Sequence, residues 1–184
     1  MASTGEVACF GQDSHEAFLQ AMLSTPFKLP NKNRTILLSI ASDQFRSEFS
    51  EAAEILHKLG YKMYATPGTA AYYEKHHGMK FICVQKPEHE NDDDEGTALR
   101  VIKQGAIDLM INVSEGAVHR EEITAGYILR RAVVDFGVSL ITDIKCAIKM
   151  AECFERGYGD GKFEPRHVGD FYRASAIGWT KGLE

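Results

Sequence analysis

The sequence predicts an α/β fold in which a parallel sheet of five strands is covered by helices on both faces. Short apolar segments alternate with longer segments of helical periodicity along most of the chain. Several short segments, such as residues 35–40, are apolar at consecutive positions, which is typical of strands buried on both faces of a sheet. Gly60 and Gly78 each follow a helical segment, and glycine is a common residue just past a helix end.

The elements follow in the order that such a sheet requires. A first helix is expected behind a cap at Ser14 and ends before Pro26 and Pro30. The five strands are predicted at residues 35–40, 62–65, 81–84, 108–113 and 140–144. The helices between and after them are predicted at residues 45–59, 68–78, 97–104, 121–136 and 146–154. A glycine-rich break at residues 157–161 then precedes a tail without clear periodicity.

Composition excludes several classes of partner. The net charge is −5 and the basic residues are scattered, which argues against a nucleic-acid surface. The four cysteines contain no C-x-x-C pair, so neither a zinc site nor a disulfide framework is expected, and reduced thiols indicate an intracellular compartment. No apolar run is long enough to span a bilayer and no signal-peptide core is visible, so no membrane partner is expected. Residues 92–94, three aspartates, are interpreted as a solvated loop rather than a metal site.

An anion pocket is predicted where the second strand passes into a helix. Thr66 and Thr69 surround Pro67 and Gly68 at this turn. A helix N-terminus presents unpaired N–H groups and about half a positive charge, and two hydroxyls add donors. The functional interpretation is a seat for phosphate or carboxylate. The structural alternative is that Thr69 only caps its own helix.

Further candidates lie at the carboxyl ends of the other strands, where ligands of open α/β sheets bind. Lys86 follows the third strand and Arg46 begins the helix after the first, although either could be an ordinary surface charge. Asn112 ends an apolar strand, so its amide either braces a loop or, as we favour, faces a ligand. Arg131 is expected to pair with Asp135, while Arg130 remains a candidate for an anion.

No catalytic set is evident. The glycine motifs of dinucleotide-binding folds and P-loops are missing, so the corresponding cofactors are not expected. His57 and the pair His76 and His77 are interpreted as surface residues, because none lies at a predicted strand end. Ser114 is not in the G-x-S-x-G context of a nucleophile elbow.

Several segments, taken together, resemble the C-terminal methylglyoxal-synthase-like (MGS-like) domain of carbamoyl-phosphate synthetases. The matching segments are residues 3–7, 16–25, 64–69, 107–112, 127–131 and 142–145, in that domain's order. The resemblance implies a flavodoxin-like, three-layer α/β/α unit that binds allosteric effectors. It further implies that residues 1–13 end a preceding ATP-grasp unit, residues 14–160 form the MGS-like domain and residues 161–184 form a tail.

The family's effector pocket, carried onto this chain residue by residue, falls on the positions already selected. The resemblance implies that the effector is bound by residues at four places. They are the two threonines of the turn, the group after the third strand, the fourth-strand asparagine with its following hydroxyl, and a basic residue near the first helix. These are Thr66, Thr69, Lys86, Asn112, Ser114 and Arg46. A lysine at position 86 suits a phosphorylated ligand, whereas family members that bind N-acetylglutamate carry a tryptophan there. Leu140 and Ile141 stand where ornithine-activated members carry polar groups.

The resemblance therefore implies regulation by a pyrimidine nucleotide (UMP, UDP or UTP) or by phosphoribosyl pyrophosphate. The parent enzyme would use ATP and Mg²⁺ in its ATP-grasp domains and could include a glutaminase part, whereas this domain would hold no cofactor. The expected compartment is the cytoplasm, with the mitochondrial matrix as the alternative. Three alternatives stay open: an N-acetylglutamate-binding domain of the urea-cycle type, a methylglyoxal synthase, and an interaction module without a ligand. A methylglyoxal synthase needs an aspartate just past the fourth strand, where this chain has Ser114 followed by Glu115.

Overall fold

The computed structural model describes residues 5–89, 92, 94–114, 124–163 and 166–171. It contains a parallel sheet in the order β3-β2-β1-β4-β5. The strands are β1 (Thr35–Ile40), β2 (Lys62–Ala65), β3 (Ile82–Cys83), β4 (Leu109–Val113) and β5 (Ser139–Ile141). The helices are α1 (Ser14–Leu23), α2 (Asp43–Glu48), α3 (Ser50–Lys58), α4 (Pro67–His77), α5 (Ala98–Lys103), α6 (Ala125–Asp135) and α7 (Ile144–Glu155), followed by a 3₁₀ turn at Tyr158–Asp160.

Helices cover both faces of the sheet, which confirms the predicted three-layer α/β/α architecture. On one face, Leu38 and Ile40 pack with Leu56 of α3 and Met150 of α7, within the larger of two cores. On the other face, Leu37 of β1 packs with residues of α5 and α6. All six residues of β1 are buried, as expected for a central strand that is apolar on both faces.

The strand order places a topological switch point between β1 and β4. The chain leaves β1 toward β2 and β3 on one side, and returns to β4 and β5 on the other. In the register of these two strands, Ser39 pairs with Asn112 and Ile40 pairs with Val113. The crevice outside such strand ends is where open α/β sheets bind their ligands.

Several predicted element boundaries are wrong; for example, the last strand is Ser139–Ile141 instead of residues 140–144. The helix predicted over residues 45–59 is interrupted at Phe49, where α2 ends and α3 begins. The cap of α1 is Asp13 rather than Ser14, because its carboxylate accepts hydrogen bonds from the amides of His15 and Glu16. The third strand has only two residues instead of four.

A polar network joins α1 to α7 on the outside of the larger core. The His15 imidazole Nε2 lies 2.9 Å from an oxygen of Glu152 and 2.8 Å from Lys149 Nζ. The hydrogen bond from His15, helped by Lys149, lowers the pKa of the Glu152 carboxyl. The Cys153 thiol is buried beside the network and donates to the His15 carbonyl oxygen at 3.3 Å. The first helix is therefore an integral part of the domain.

The acidic loop differs in part from its prediction as a solvated segment. Asp92 is buried, and its carboxylate accepts hydrogen bonds from the amides of Glu88 and Asp94, so it organises the loop. Asp93 lies outside the described residues. Within the described ranges, no group of three or more acidic, histidine or cysteine side chains is arranged to hold a metal ion. None of the helices in the described part of the chain is both long and apolar enough to cross a membrane.

Candidate functional site

The predicted anion seat lies at the N-terminus of α4, an 11-residue helix. Thr66 occupies the cap position with extended backbone angles, and Pro67 is the first helical residue. Proline suits this position because its missing N–H would be unpaired there anyway. The Thr66 side chain forms no cap hydrogen bond and is 2% exposed. Among the described residues, no side chain accepts from the first-turn amides of α4, and an anion can take that role.

Thr69 does not cap its own helix, so the structural alternative considered for it is wrong in that form. Its hydroxyl oxygen accepts from the Ile40 amide at 3.1 Å and donates to the Ile40 carbonyl at 3.2 Å. Thr69 is fully buried, and the Thr66 hydroxyl oxygen lies 3.4 Å from its own. Thr69 thus ties the start of α4 to the end of β1. Both hydroxyls face protein atoms here, and their role toward a ligand stays a prediction.

Arg46 lies across the same corner. Its guanidinium donates through Nε to the Ile40 carbonyl at 3.0 Å and through Nη2 to the Ala41 carbonyl at 2.9 Å. The third contact is an ion pair with Asp43, in which Nη1 lies 2.5 Å from Oδ1. The same Nη2 is 3.1 Å from the place that a Cβ on Gly68 would occupy. Arg46 therefore adds a fixed positive charge beside the first turn of α4.

The backbone of Arg46 is fixed as firmly as its side chain. Its carbonyl oxygen accepts from the Tyr73 hydroxyl at 2.8 Å and from the Ser50 hydroxyl at 2.9 Å. Tyr73 is fully buried on α4, and this burial raises the pKa of its hydroxyl, which keeps it protonated as a donor. The hydroxyl of Tyr73 consequently fixes α2 against α4 and sets where Arg46 stands.

Asn112 and Arg130 form a second cluster on the opposite face of the sheet. Arg130 Nη1 donates to the Asn112 side-chain oxygen at 2.7 Å, and Asn112 is 3% exposed. Arg130 also packs on the first turn of α6, because its Nη1 is 3.3 Å from the Cβ position of Gly126. Thr124 caps this helix by accepting from the Tyr127 amide. An arginine guanidinium thus lies against a glycine in the first turn of both α4 and α6.

The structure does not bring Lys86 or Ser114 into contact with the other candidates. Lys86 is exposed beyond the end of β3, where Gln85 pairs with Thr97, and it forms no ion pair with a described residue. Ser114 is exposed directly after β4. Glu115, considered as a catalytic carboxylate, lies outside the described residues. The expected pair of Arg131 with Asp135 is confirmed at 2.8 Å.

Sequence reasoning missed three contributors to this edge: Asp43, Tyr73 and Thr124. The three-residue spacing of Asp43 and Arg46 is a readable signal, because such positions are neighbours on a helix. Thr124 stands one residue before a helix, where threonine is a common cap. No local signal identifies Tyr73, whose partner is 27 residues away in sequence.

The fold and this edge define an α/β domain whose sheet brings two arginine-backed helix N-termini to its carboxyl side. A family model described as the MGS-like domain matches residues 48–142, more than half of the chain. The chain therefore belongs to the MGS-like domain family, and the resemblance drawn from its segments is confirmed.

The chain is also similar to parts of much longer proteins. It is 44% identical over 180 residues to the multifunctional protein CAD of Squalus acanthias, covering 91% of this chain and 8% of that protein. It is 38% identical over 160 residues to the multifunctional protein URA2 of Saccharomyces cerevisiae, covering 85% of this chain and 7% of that protein. It is 38% identical over 157 residues to the mitochondrial carbamoyl-phosphate synthase [ammonia] of Homo sapiens, covering 85% of this chain and 10% of that protein. The chain spans a tenth or less of the length of these curated relatives.

Proposed function

We propose that this domain binds a small phosphate-bearing effector at the N-terminus of α4 and thereby regulates carbamoyl phosphate synthesis in a longer protein. The observation that carries the proposal is the position of Arg46, whose guanidinium lies against Gly68 beside the uncapped first turn of α4. Helix N–H groups and an arginine together favour an anion with several acceptor oxygens, and phosphate is such an anion.

The preferred effector is a pyrimidine nucleotide, with phosphoribosyl pyrophosphate as the second choice. In this arrangement Arg46 and the α4 amides hold the phosphate, and Lys86 supplies a further positive charge from the end of β3. Asn112 lies on the neighbouring strand β4, Ser114 follows that strand, and Arg130 reaches Asn112 from α6, so the three can contact the rest of the ligand. N-acetylglutamate is the alternative effector, because two arginines also suit a ligand with two carboxylates.

Binding would act on the parent protein by favouring one arrangement of this domain against the rest of that protein. Allosteric coupling free energies are typically about 1–3 kcal/mol. Charge-assisted hydrogen bonds contribute about 1.5–3 kcal/mol each, so a few contacts made in only one arrangement are sufficient. In this proposal the partners are ATP-grasp domains that use ATP and Mg²⁺, with a glutaminase part in some assemblies. The proposed compartment is the cytoplasm for a parent protein similar to CAD. It is the mitochondrial matrix for the alternative parent, a synthetase that binds N-acetylglutamate.

A panel of ligands tests the proposal by thermal unfolding of the 184-residue chain. The panel contains UMP, UTP, phosphoribosyl pyrophosphate, N-acetylglutamate and inorganic phosphate. A specific effector at a hundredfold excess over its Kd should stabilise the chain by roughly 2.7 kcal/mol. Arg46→Gln should remove the stabilisation. If no ligand of the panel raises the unfolding temperature, the chain is better explained as an interaction module. Turnover of dihydroxyacetone phosphate by the chain would instead indicate a methylglyoxal synthase.

Lys86 gives a second test of the same site. Lys86→Ala should weaken UMP binding by about tenfold through the loss of one charge-assisted contact, without changing the unfolding midpoint of the free protein. Lys32→Ala is the matched control, because Lys32 is also exposed but precedes β1 at the opposite edge of the sheet. Equal affinity of the Lys86 variant and the unsubstituted chain, measured by calorimetric titration, would remove Lys86 from the site.

A further inference from the structure

Arg46 carries a counter-ion of its own at the proposed effector site. Asp43 is the first residue of α2, and its carboxylate Oδ1 lies 2.5 Å from Arg46 Nη1. The two side chains differ in exposure, since that of Arg46 is 15% exposed and that of Asp43 is 75% exposed. The guanidinium is thus held in the protein, whereas the carboxylate stands on the solvent side of it.

The hydrogen bonds of the guanidinium show which donors a ligand can use. A guanidinium has five N–H groups. Nε–H is taken by the Ile40 carbonyl, one N–H of Nη2 by the Ala41 carbonyl, and one N–H of Nη1 by Asp43. One N–H on each terminal nitrogen is left, so a phosphate that approaches the first turn of α4 meets Nη2 on the side of Gly68, with the Asp43 carboxylate bound to the adjoining Nη1.

We propose that Asp43 is the resident counter-ion of the effector site, and that an incoming anion displaces its carboxylate from Arg46. This inference rests on the proposed function, because it takes the anion to bind beside Arg46. The backbone carbonyls of Ile40 and Ala41 keep the guanidinium in place during the exchange. Asp43 consequently lowers the affinity of the site for every anion, because an anion must replace its ion pair with Arg46. A dianionic phosphate, with its higher charge, does so more easily than a single carboxylate.

Asp43→Asn tests the proposal, because asparagine keeps the shape and one hydrogen-bond acceptor but removes the charge. Calorimetric titrations with UMP and with inorganic phosphate are compared for the unsubstituted chain, Asp43→Asn, Arg46→Gln and Glu51→Gln. Glu51 is exposed on α3, and its substitution changes the net charge by the same amount. The Asp43 variant should bind UMP about three- to tenfold more tightly at low salt, and the gain should shrink as salt screens the charges.

The outcomes separate the two proposals. The counter-ion role is supported if Asp43→Asn binds UMP more tightly and the other variants do not. It is also supported if inorganic phosphate binds Asp43→Asn but not the unsubstituted chain. Equal or weaker binding in Asp43→Asn, with binding still lost in Arg46→Gln, overturns the role of Asp43 and leaves the effector site standing. A similar gain in Glu51→Gln assigns the effect to net charge and also overturns it. If none of the four proteins binds either probe, both proposals fail.

Discussion

The substitution Thr69→Val distinguishes a structural role of the Thr69 hydroxyl from a role in ligand binding. Valine has nearly the same shape, so the main change is the loss of two hydrogen bonds to Ile40, at 3.1 and 3.2 Å. Thr69 is fully buried, and a buried amide that loses its partner costs about 1–3 kcal/mol. We therefore expect the free energy of unfolding to fall by about 2 kcal/mol. For a chain of this size the melting temperature should fall by roughly 4–8 °C.

Urea and thermal unfolding of the ligand-free chain provide the measurement. Thr66→Val is the matched control, because within the described part of the chain the Thr66 hydroxyl has only the 3.4 Å contact with Thr69. The loss of that contact should cost less than about 1 kcal/mol. If Thr69→Val unfolds at the same midpoint as the unsubstituted chain, the tie between α4 and β1 contributes nothing to stability. The Thr69 hydroxyl would then have no structural role at this corner, and it would be available to bind a ligand.

Two further substitutions test other parts of the structure. Gly68→Ala should weaken UMP binding severalfold while the fold persists, because the new Cβ would lie 3.1 Å from Arg46 Nη2 and displace the guanidinium. An affinity equal to that of the unsubstituted chain in calorimetric titration would contradict this prediction. Burial raises the pKa of Cys153 to about 11, so the folded state holds this proton more tightly and loses stability as the pH rises from about 9 to about 11. In Cys153→Ser, the decrease in the free energy of unfolding between these pH values should be smaller by roughly 1–2 kcal/mol, as measured by urea unfolding at several pH values. If the free energy of unfolding falls equally with pH in both proteins, the prediction is contradicted.

The sheet could be predicted from the sequence because its signal is local. The segment at residues 35–40 is continuously apolar, and that pattern alone indicates a strand with helices on both faces. The interruption at Phe49 could not be predicted, because residues 45–59 contain no glycine or proline and read as one continuous helix. Phe49 is fully buried, so tertiary packing rather than local preference ends α2 there.

The sequence indicates which polar residues stand at the strand ends but not the contacts that they make. Thr69 is suited both to capping a helix and to bridging two elements, and only the position of Ile40 decides between them. The pairing of Asn112 with Arg130 likewise depends on where α6 lies over β4. Asp92 illustrates the reverse case. An acidic run suggests solvent exposure, whereas this residue is buried and its carboxylate accepts hydrogen bonds from two local amides.

The separation of α2 from α3 places buried core residues on α3 and the proposed effector-binding residue Arg46 on α2. None of the six residues of α2 is buried, whereas α3 contributes Ala52, Ala53 and Leu56 to the core. Exchanges at the exposed α2 residues Asp43, Gln44 and Ser47 should therefore be tolerated thermodynamically, even where they alter the local charge. Related sequences, or a designed library confined to these three positions, could change ligand selectivity while the core stays the same.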